Sequence, residues 1–454
     1  MYDLIILGGG PAGYYAAERA SEAGFHTLLF EERNLGGVCL NEGCIPTKSL
    51  LYTAKIAEAA KHGEGYGVFA SGVRIDHQAA LTRKKAVVRR LVSGVASSLK
   101  QGNVDARKAR GAFCSRDGNG FAIEADGEKY EGVRLLVCTG SEAVIPRVEG
   151  AEAALESGFA LTSREILELD SIPARLAIIG GGAIGLEFAN YFNAAGAEVT
   201  VVEMLPEVGG AIDADIAKAL RGELEKAGVR FRLESRMTEV APRGVNIVSG
   251  AGSELIEADK VLLSIGRRPC VGNAGLESLG VYIENGAVVT DARMRTSVPG
   301  VWAAGDVNGK LMLAHTAYRE AAVAINDMAG VPDFMRYDAV PQVVYTLPEA
   351  AGVGETGQSA AAKGLDFEEL ALPLQHSGRY MAENISGTGF VKLISCRRTK
   401  RILGIHIIGS YASEIILSAT ILVGTKWTAE TARKIIFPHP TVGEALRDAL
   451  NRLK

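Results

Sequence analysis

Two cysteines stand five residues apart in the run Gly36-Gly37-Val38-Cys39-Leu40-Asn41-Glu42-Gly43-Cys44-Ile45-Pro46-Thr47-Lys48. Thiols at that spacing can be joined as a disulfide or opened as a dithiol, so the pair is a candidate redox couple. Pro46 suits an early helical position, because its fixed φ fits and its missing N–H would be unpaired there anyway. The pattern predicts a helix continuing through Lys48 and Leu51. Cys44 would then stand at the helix N-terminus, where the dipole favours the thiolate. Lys48, four residues on, would share its face. The alternative is a pair of reduced cysteines packed as small hydrophobic groups. Cys114, Cys138, Cys270 and Cys396 are isolated and fit that second reading.

Such a couple needs a partner that accepts electrons, and the glycines point to one. Gly8-Gly9-Gly10 and Gly180-Gly181-Gly182 lie 172 positions apart, and the match extends to Leu4 and Leu176, Gly13 and Gly185, Gly24 and Gly196, and Glu31 and Glu203. Each copy reads as an apolar strand, a Gly-x-Gly-x-x-Gly turn, a helix, a second strand and an acid. The first glycine makes the tight turn, the second lets a pyrophosphate approach the backbone, and the third lets helix pack on strand. The pyrophosphate would rest on the helix N-terminus, and Glu31 and Glu203 would accept hydrogen bonds from ribose hydroxyls. A single such turn also occurs as plain strand–helix packing; two with matching flanks and acids predict two dinucleotide sites. Glu203 would repel a 2′-phosphate, and no arginine follows it in Met204-Leu205-Pro206-Glu207-Val208, so the second site is expected to take NAD.

Composition frames these sites. The chain has 454 residues, 49 basic and 53 acidic, with 47% hydrophobic and 22% charged residues. That length predicts two to four folded domains. The slight negative charge offers no footprint for nucleic acid or an anionic membrane. Six cysteines are too few for a disulfide scaffold. No metal-binding cluster is expected. Met1-Tyr2-Asp3 leads directly into a strand, so no targeting segment is expected, and the apolar stretch from Ile402 to Val423 is broken by His406, Ser410 and Glu414. A cytoplasmic protein is the expectation.

The cysteine run resembles the disulfide motif of the class I flavin-dependent pyridine nucleotide–disulfide oxidoreductases. Pro438-His439-Pro440-Thr441-Val442-Gly443-Glu444 is similar to the His-Pro-Thr…Glu motif of the dihydrolipoyl dehydrogenase group. Val301-Trp302-Ala303-Ala304-Gly305-Asp306-Val307 resembles the second flavin motif, and Met312-Leu313-Ala314-His315 the segment after it. Val343-Val344-Tyr345-Thr346-Leu347-Pro348-Glu349 resembles the entry to a dimerisation domain, so the likeness covers essentially the whole chain.

The resemblance implies an α/β fold with two Rossmann-like domains, for FAD and NAD, and an α+β C-terminal dimerisation domain. Residues 1–145 would be the first part of the FAD domain, 146–270 the NAD domain, 271–336 the second part of the FAD and central region, and 337–454 the dimerisation domain. Gly8, Gly10, Gly13 and Glu31 would bind the FAD pyrophosphate and adenosine ribose. Gly111, Thr139, Gly140 and Ala314 would pass near FAD, and Asp306 would bond its ribityl chain. Lys48 would lie by the flavin ring paired with Glu187, tuning it electrostatically. Gly180, Gly182, Gly185, Glu203 and the Gly266-Arg267 turn would hold NAD.

It also implies a mechanism. Cys39 would exchange with substrate sulfur while Cys44 faces the flavin. An incoming dithiol must lose a proton, and His439, with an unperturbed pKa near 6.5, can cycle at neutral pH. Glu444 would orient and stabilise the imidazole; Thr441-Val442-Gly443-Glu444 also reads as a capping box for the final helix. His439 lies 400 positions beyond Cys39 and would act in the partner's site, which implies a homodimer.

Phe437 and Pro438 stand where the family commonly has His-Ala, Leu347 where it has His, and Thr316 where it has Lys. None removes a catalytic group; the first pair would reshape the substrate channel. The leading function is oxidation of dihydrolipoyl groups on a lipoylated carrier of a 2-oxoacid dehydrogenase or a glycine cleavage or reduction system. Alternatives are a disulfide reductase for a glutathione-like, coenzyme A or metal-thiol substrate, and a non-catalytic FAD-binding redox sensor or scaffold. Arg83, Lys84, Lys85, Arg89 and Arg90 read as a solvated helix face, or as a docking patch for an acidic domain.

Overall fold

The structure is a computed structural model that describes residues 1–117, 120–272 and 274–453. Its contacts form two compact units: Met1–Ser49 with Leu81–Val144 and Gly266–Arg336, and Leu50–Ala80 with Ile145–Ile265 and Tyr337–Lys454.

In the first unit, Tyr2–Leu7 pairs in parallel with Thr27–Phe30 on one side and Glu128–Val137 on the other. Asp105–Arg107 extends one edge, Val301–Ala303 also joins Glu128–Val137 in parallel, and an antiparallel hairpin of Ala112–Asp117 and Gly120–Ala125 continues the sheet. Leu4, Ile5 and Ile6 are fully buried, as expected of a parallel strand covered on both faces. The helix Pro11–Glu22 buries only small residues (Ala12, Gly13, Ala16, Ala17 and Ala20), which lets it lie close to its neighbours.

The second unit repeats this unit and adds to it. Its parallel sheet runs Arg230–Arg232, Glu198–Val202, Arg175–Ile179, Lys260–Leu263, Ala160–Leu161. The helix Ala183–Ala194 falls 172 positions from Pro11–Glu22 at both ends, so the sequence repeat is a structural one. An antiparallel five-stranded sheet follows, in the order Gln342–Val344, Ala350–Gly354, Ile402–Ile408, Phe390–Cys396, Phe367–Pro373. The helices Ala412–Gly424 and Glu444–Arg452 share a core with it through Ile416, Leu422, Leu446, Leu450, Ile405 and Leu393.

The contact grouping breaks at Gly266, joins Tyr337–Lys454 to Ile145–Ile265, and sets Leu50–Ala80 in the second unit although it lies within 1–145. The cause of the last is apolar packing, since Leu50, Leu51 and Ala54 share a core with Leu186, Phe188 and Tyr191. His77 adds a 2.8 Å bond to the Tyr191 hydroxyl.

On the helix His77–Gln101, Arg83, Lys85, Arg89 and Arg90 are exposed, as a solvated face requires, but Lys84 is buried, with 2% of its surface accessible. The basic patch is therefore four residues and not five. No helix among the described residues is long and apolar enough to cross a membrane.

Candidate active site

The two glycine turns are alike at atomic level. Gly8 has φ +103°, and a Cβ there would lie 2.2 Å from the Cys138 carbonyl oxygen; Gly180 has φ +104°, with the Ser264 oxygen at 2.5 Å. A Cβ on Gly13 would lie 1.8 Å from the Gly8 oxygen, and one on Gly185 2.1 Å from the Gly180 oxygen. The middle positions differ in kind. Nothing stands within 4 Å of a Cβ on Gly182, and at Gly10 only the Gly37 Cα approaches, at 3.8 Å. The first and third glycines are thus required by the fold, while the second leaves open backbone at the start of a helix, as a diphosphate cradle needs.

Each acid is clamped in the same way. Glu31 accepts the Gly9 and Arg33 N–H groups, both at 2.8 Å. Glu203 accepts those of Gly181 at 2.7 Å and Leu205 at 2.8 Å. Both carboxylates are therefore oriented by two backbone donors before any ligand arrives. Arg232, on the neighbouring strand, bonds Glu254 through both Nε and Nη2 at 2.9 Å, so its guanidinium already has a carboxylate partner.

The cysteine pair is fastened to the first turn. Gly36 donates to the Gly9 carbonyl at 2.8 Å, and a Cβ on Gly37 would stand 2.6 Å from the Gly10 Cα. Those glycines open a short helix, Gly37–Glu42, that carries Cys39; the sequence pattern did not indicate it, since six residues show no period. The expected helix begins at Cys44 and runs to Lys61. Both cysteines are partly buried and unbridged. The Cys39 thiol is pushed well above its ordinary value, first by its hydrogen bond to Cys44 and then by burial, while the Lys48 charge acts in the opposite sense. The two sulfurs are thus neighbours, close enough for one thiol to bond the other. Beside it, Tyr14 and Tyr318 meet hydroxyl to hydroxyl at 2.6 Å, a pairing across 304 residues with no sequence signal.

Asp306 opens a short turn after Gly305, whose N–H bonds the fully buried Glu320 at 2.6 Å. The Asp306 carboxylate accepts the Ser141 hydroxyl. Arg267 reaches the same serine, with Nε on Oγ at 2.7 Å and Nη2 on the carbonyl at 2.6 Å. The Arg267 side chain, in the turn expected to hold NAD, is bonded by Ser141 beside Asp306, because Arg267–Pro269 pairs with Ser141–Ala143. Gly266 itself has φ +120°. Thr139 bonds the Cys270 carbonyl at 2.5 Å, Gly140 has φ +74°, and Gly111 is enclosed, with Phe30 and Leu7 within 3 Å of a Cβ there. Ala314 begins the helix Ala314–Met328. Glu187, 5% exposed, accepts the Tyr345 N–H at 3.1 Å.

His439 and Glu444 meet. The imidazole Nδ1 is 3.0 and 3.1 Å from the two carboxylate oxygens, and the His439 side chain is 77% exposed. With Nδ1 turned to Glu444, Nε2 is the nitrogen left to take up a proton. Glu444 is buried and pulled down to about 2, first by the Thr441 N–H and then by His439. Half of the expected capping box forms. Glu444 accepts the Thr441 N–H at 3.0 Å, but the Thr441 hydroxyl donates to the Pro438 carbonyl at 2.9 Å, because the helix starts at Glu444 with Gly443 as its N-cap and leaves Thr441 outside the capping position.

Comparison with known proteins returns this combination. Residues 2–321 match the model of the pyridine nucleotide-disulphide oxidoreductase family, and 340–450 match that family's dimerisation domain. Dihydrolipoyl dehydrogenases from Chlamydia muridarum and from Pisum sativum mitochondria are each 36% identical, over 98% of this chain and 95% and 90% of theirs. That of Thermus scotoductus is 37% identical, over 100% of this chain and 97% of its own. Among solved structures, LpdA from Mycobacterium tuberculosis superposes with a TM-score of 0.89 at 27% identity, over 99% of both chains. The HOCl-induced flavoprotein disulfide reductase RclA from Escherichia coli, as a Cu(II) complex, gives 0.86 at 26% identity over 99% of this chain and 100% of its own.

Proposed function

The chain belongs to the pyridine nucleotide-disulphide oxidoreductase family, a family of FAD-dependent enzymes that use NAD(H), and we propose that this member oxidises dihydrolipoyl groups on a lipoylated carrier protein with NAD as acceptor. The observation that carries the reading is the seating of Cys39 and Cys44 against the first glycine turn through Gly36 and Gly37. A redox couple held there lies beside the open backbone at Gly10. Gly8, Gly13 and the clamped Glu31 suit an FAD diphosphate and ribose, and Gly180, Gly185 and Glu203 suit NAD in the same way.

Bound FAD would supply two-electron transfer between the dithiol and the nicotinamide. The chain's own residues do the rest. With the pair as a disulfide, a substrate thiolate attacks the Cys39 sulfur, the S–S bond opens and Cys44 leaves as thiolate. The second substrate thiol then displaces Cys39 and closes the substrate disulfide, so two electrons come to rest on the cysteine pair. His439 of the partner subunit takes the substrate's proton on Nε2, and Glu444 behind it holds the ring and stabilises its charged form. Lys48 would tune the flavin ring electrostatically, and Asp306 would hold the ribityl chain. The enzyme is read as a cytoplasmic homodimer with two shared sites.

The choice of NAD over NADP is supported by the clamped Glu203 carboxylate and by the engagement of Arg232 by Glu254. A second reading, a reductase for another disulfide, is favoured by the Phe437-Pro438 pair next to His439 and by the likeness to RclA. Steady-state turnover separates them: purified protein reduces NAD with dihydrolipoamide and is slow with NADPH and glutathione disulfide. FAD-loaded protein that fails the first assay overturns the reading.

A further inference from the structure

Glu444 holds more donors than a histidine–carboxylate pair requires. Its Oε1 receives Arg447 Nη1 at 2.8 Å and faces His439 Nδ1 at 3.0 Å. Its Oε2 receives the Thr441 N–H at 3.0 Å. Arg447 is three residues further along the same helix, so helical spacing holds it over the carboxylate. Because both groups meet one oxygen, their nitrogens are at most about 5.8 Å apart, the two contacts laid end to end.

We infer that Arg447 is a positioning residue that sets the proton affinity of His439 by sharing its carboxylate. The catalytic meaning of this rests on the reading of His439 as the acid/base. An ionised glutamate alone favours the imidazolium and holds its proton tightly. A guanidinium, which is always charged, offsets part of that pull on the same oxygen. At such a separation in water the repulsion corresponds to roughly half a pH unit, and to more where solvent is thinner. The guanidinium therefore lessens the carboxylate's pull on the His439 proton, so that the imidazole can release as well as take up the dithiol proton.

Other charged groups lie on this helix and on the elements packed against it. Asp448 grips the far side of Arg447 at 2.8 Å through Nε and Nη2. Arg433 bonds the Leu450 and Leu453 carbonyls at the opposite end, Glu430 and Lys434 are exposed, and His376 lies on an exposed turn. On the strands packed against the helix, Glu368 pairs with Lys400, and Glu369 with Lys392.

The test uses the FAD-loaded dimer and two readouts. One is the pH dependence of kcat/KM for dihydrolipoamide; the other is the His439 imidazole titration by NMR with labelled histidine, its resonance identified by its loss in His439→Gln. Arg447→Gln should move both upward by about half a unit or more, and Arg447→Lys should restore most of the shift. Asp448→Asn, which keeps the guanidinium and removes its competing anion, should move both downward. An unchanged His439 titration in Arg447→Gln, or in Asp448→Asn should the first variant not fold, overturns the inference. A shifted titration with an unshifted rate profile upholds the inference and refutes His439 as the acid/base.

Discussion

Gly37 lies directly against Gly10: a side chain on the first would put its Cβ 2.6 Å from the Cα of the second. This contact joins the helix that carries Cys39 to the turn that would cradle a diphosphate. It makes the distance between redox pair and cofactor a property of two backbones, with no side chain to relax.

Gly37→Ala tests that contact. The position also has φ +56°, so alanine is strained twice, in its backbone and in its contact. The variant should lose about 1–3 kcal/mol of stability. In the FAD-loaded protein the dithiol-to-flavin step should slow more than dithiol binding. Chemical unfolding and rapid-mixing absorbance read the two effects; wild-type values in both would show that the contact is not needed.

Ser141→Ala should weaken FAD retention. Its hydroxyl donates to Asp306 and accepts from Arg267 at a site where Ser141 is 7% exposed, so its loss leaves both charges one partner short. At about 1–2 kcal/mol for a buried bond to a charged group, the FAD dissociation constant should rise roughly five- to thirtyfold. Flavin fluorescence on dilution measures it, and retention equal to wild type rules out this support for Asp306.

Glu203→Ala removes the clamped carboxylate from the second turn. The ratio of kcat/KM for NAD over NADP should fall by about tenfold or more, through a higher KM for NAD and a relieved repulsion of the 2′-phosphate. Dihydrolipoamide oxidation with each nucleotide provides the number. An unchanged ratio would move nucleotide choice to other residues.

Acid stability should report Glu444. Its folded pKa is lowered to about 2 from 4.5, so its contribution is complete above the unfolded value and is lost as pH falls from 4.5 toward 2. Glu444→Gln should therefore be less stable than wild type at neutral pH, and the gap should close through that window. Denaturant midpoints at pH 7, 4.5 and 3 would show it; a gap constant with pH would mean that the carboxylate's charge is not what stabilises the turn.

His439→Gln should lower dithiol oxidation by roughly 10²–10⁴ at neutral pH, the range for loss of a general base. The loss should shrink at high pH, where the substrate supplies its own thiolate. Turnover against pH with dihydrolipoamide decides this, and a loss that does not shrink would argue for a binding role instead.

The sequence was legible wherever function lies in one short segment. The paired glycine turns, the acids that close them, the Cys39–Cys44 couple and the helix starting at Cys44 could be read because spacing along the chain becomes spacing in a turn or helix with little outside help. The His439–Glu444 contact is of the same kind. Arg447 carried no such signal: three residues on, it looks like any charged helix residue, and only the folded turn brings its guanidinium onto the Glu444 carboxylate.

What the tertiary structure alone decided spans long separations. Tyr14 meets Tyr318, Ser141 joins Arg267 to Asp306, Lys84 turns inward, and Leu50–Ala80 packs on the second unit. No local period encodes these, because they follow from which distant segments meet: the strand that carries Ser141 and the strand that carries Arg267 pair in a two-stranded sheet of their own. The sequence by itself therefore determined the family and pointed to the turns expected to hold its cofactors. The packing decided which charged groups stand around them, and those set how tightly protons and cofactors are held.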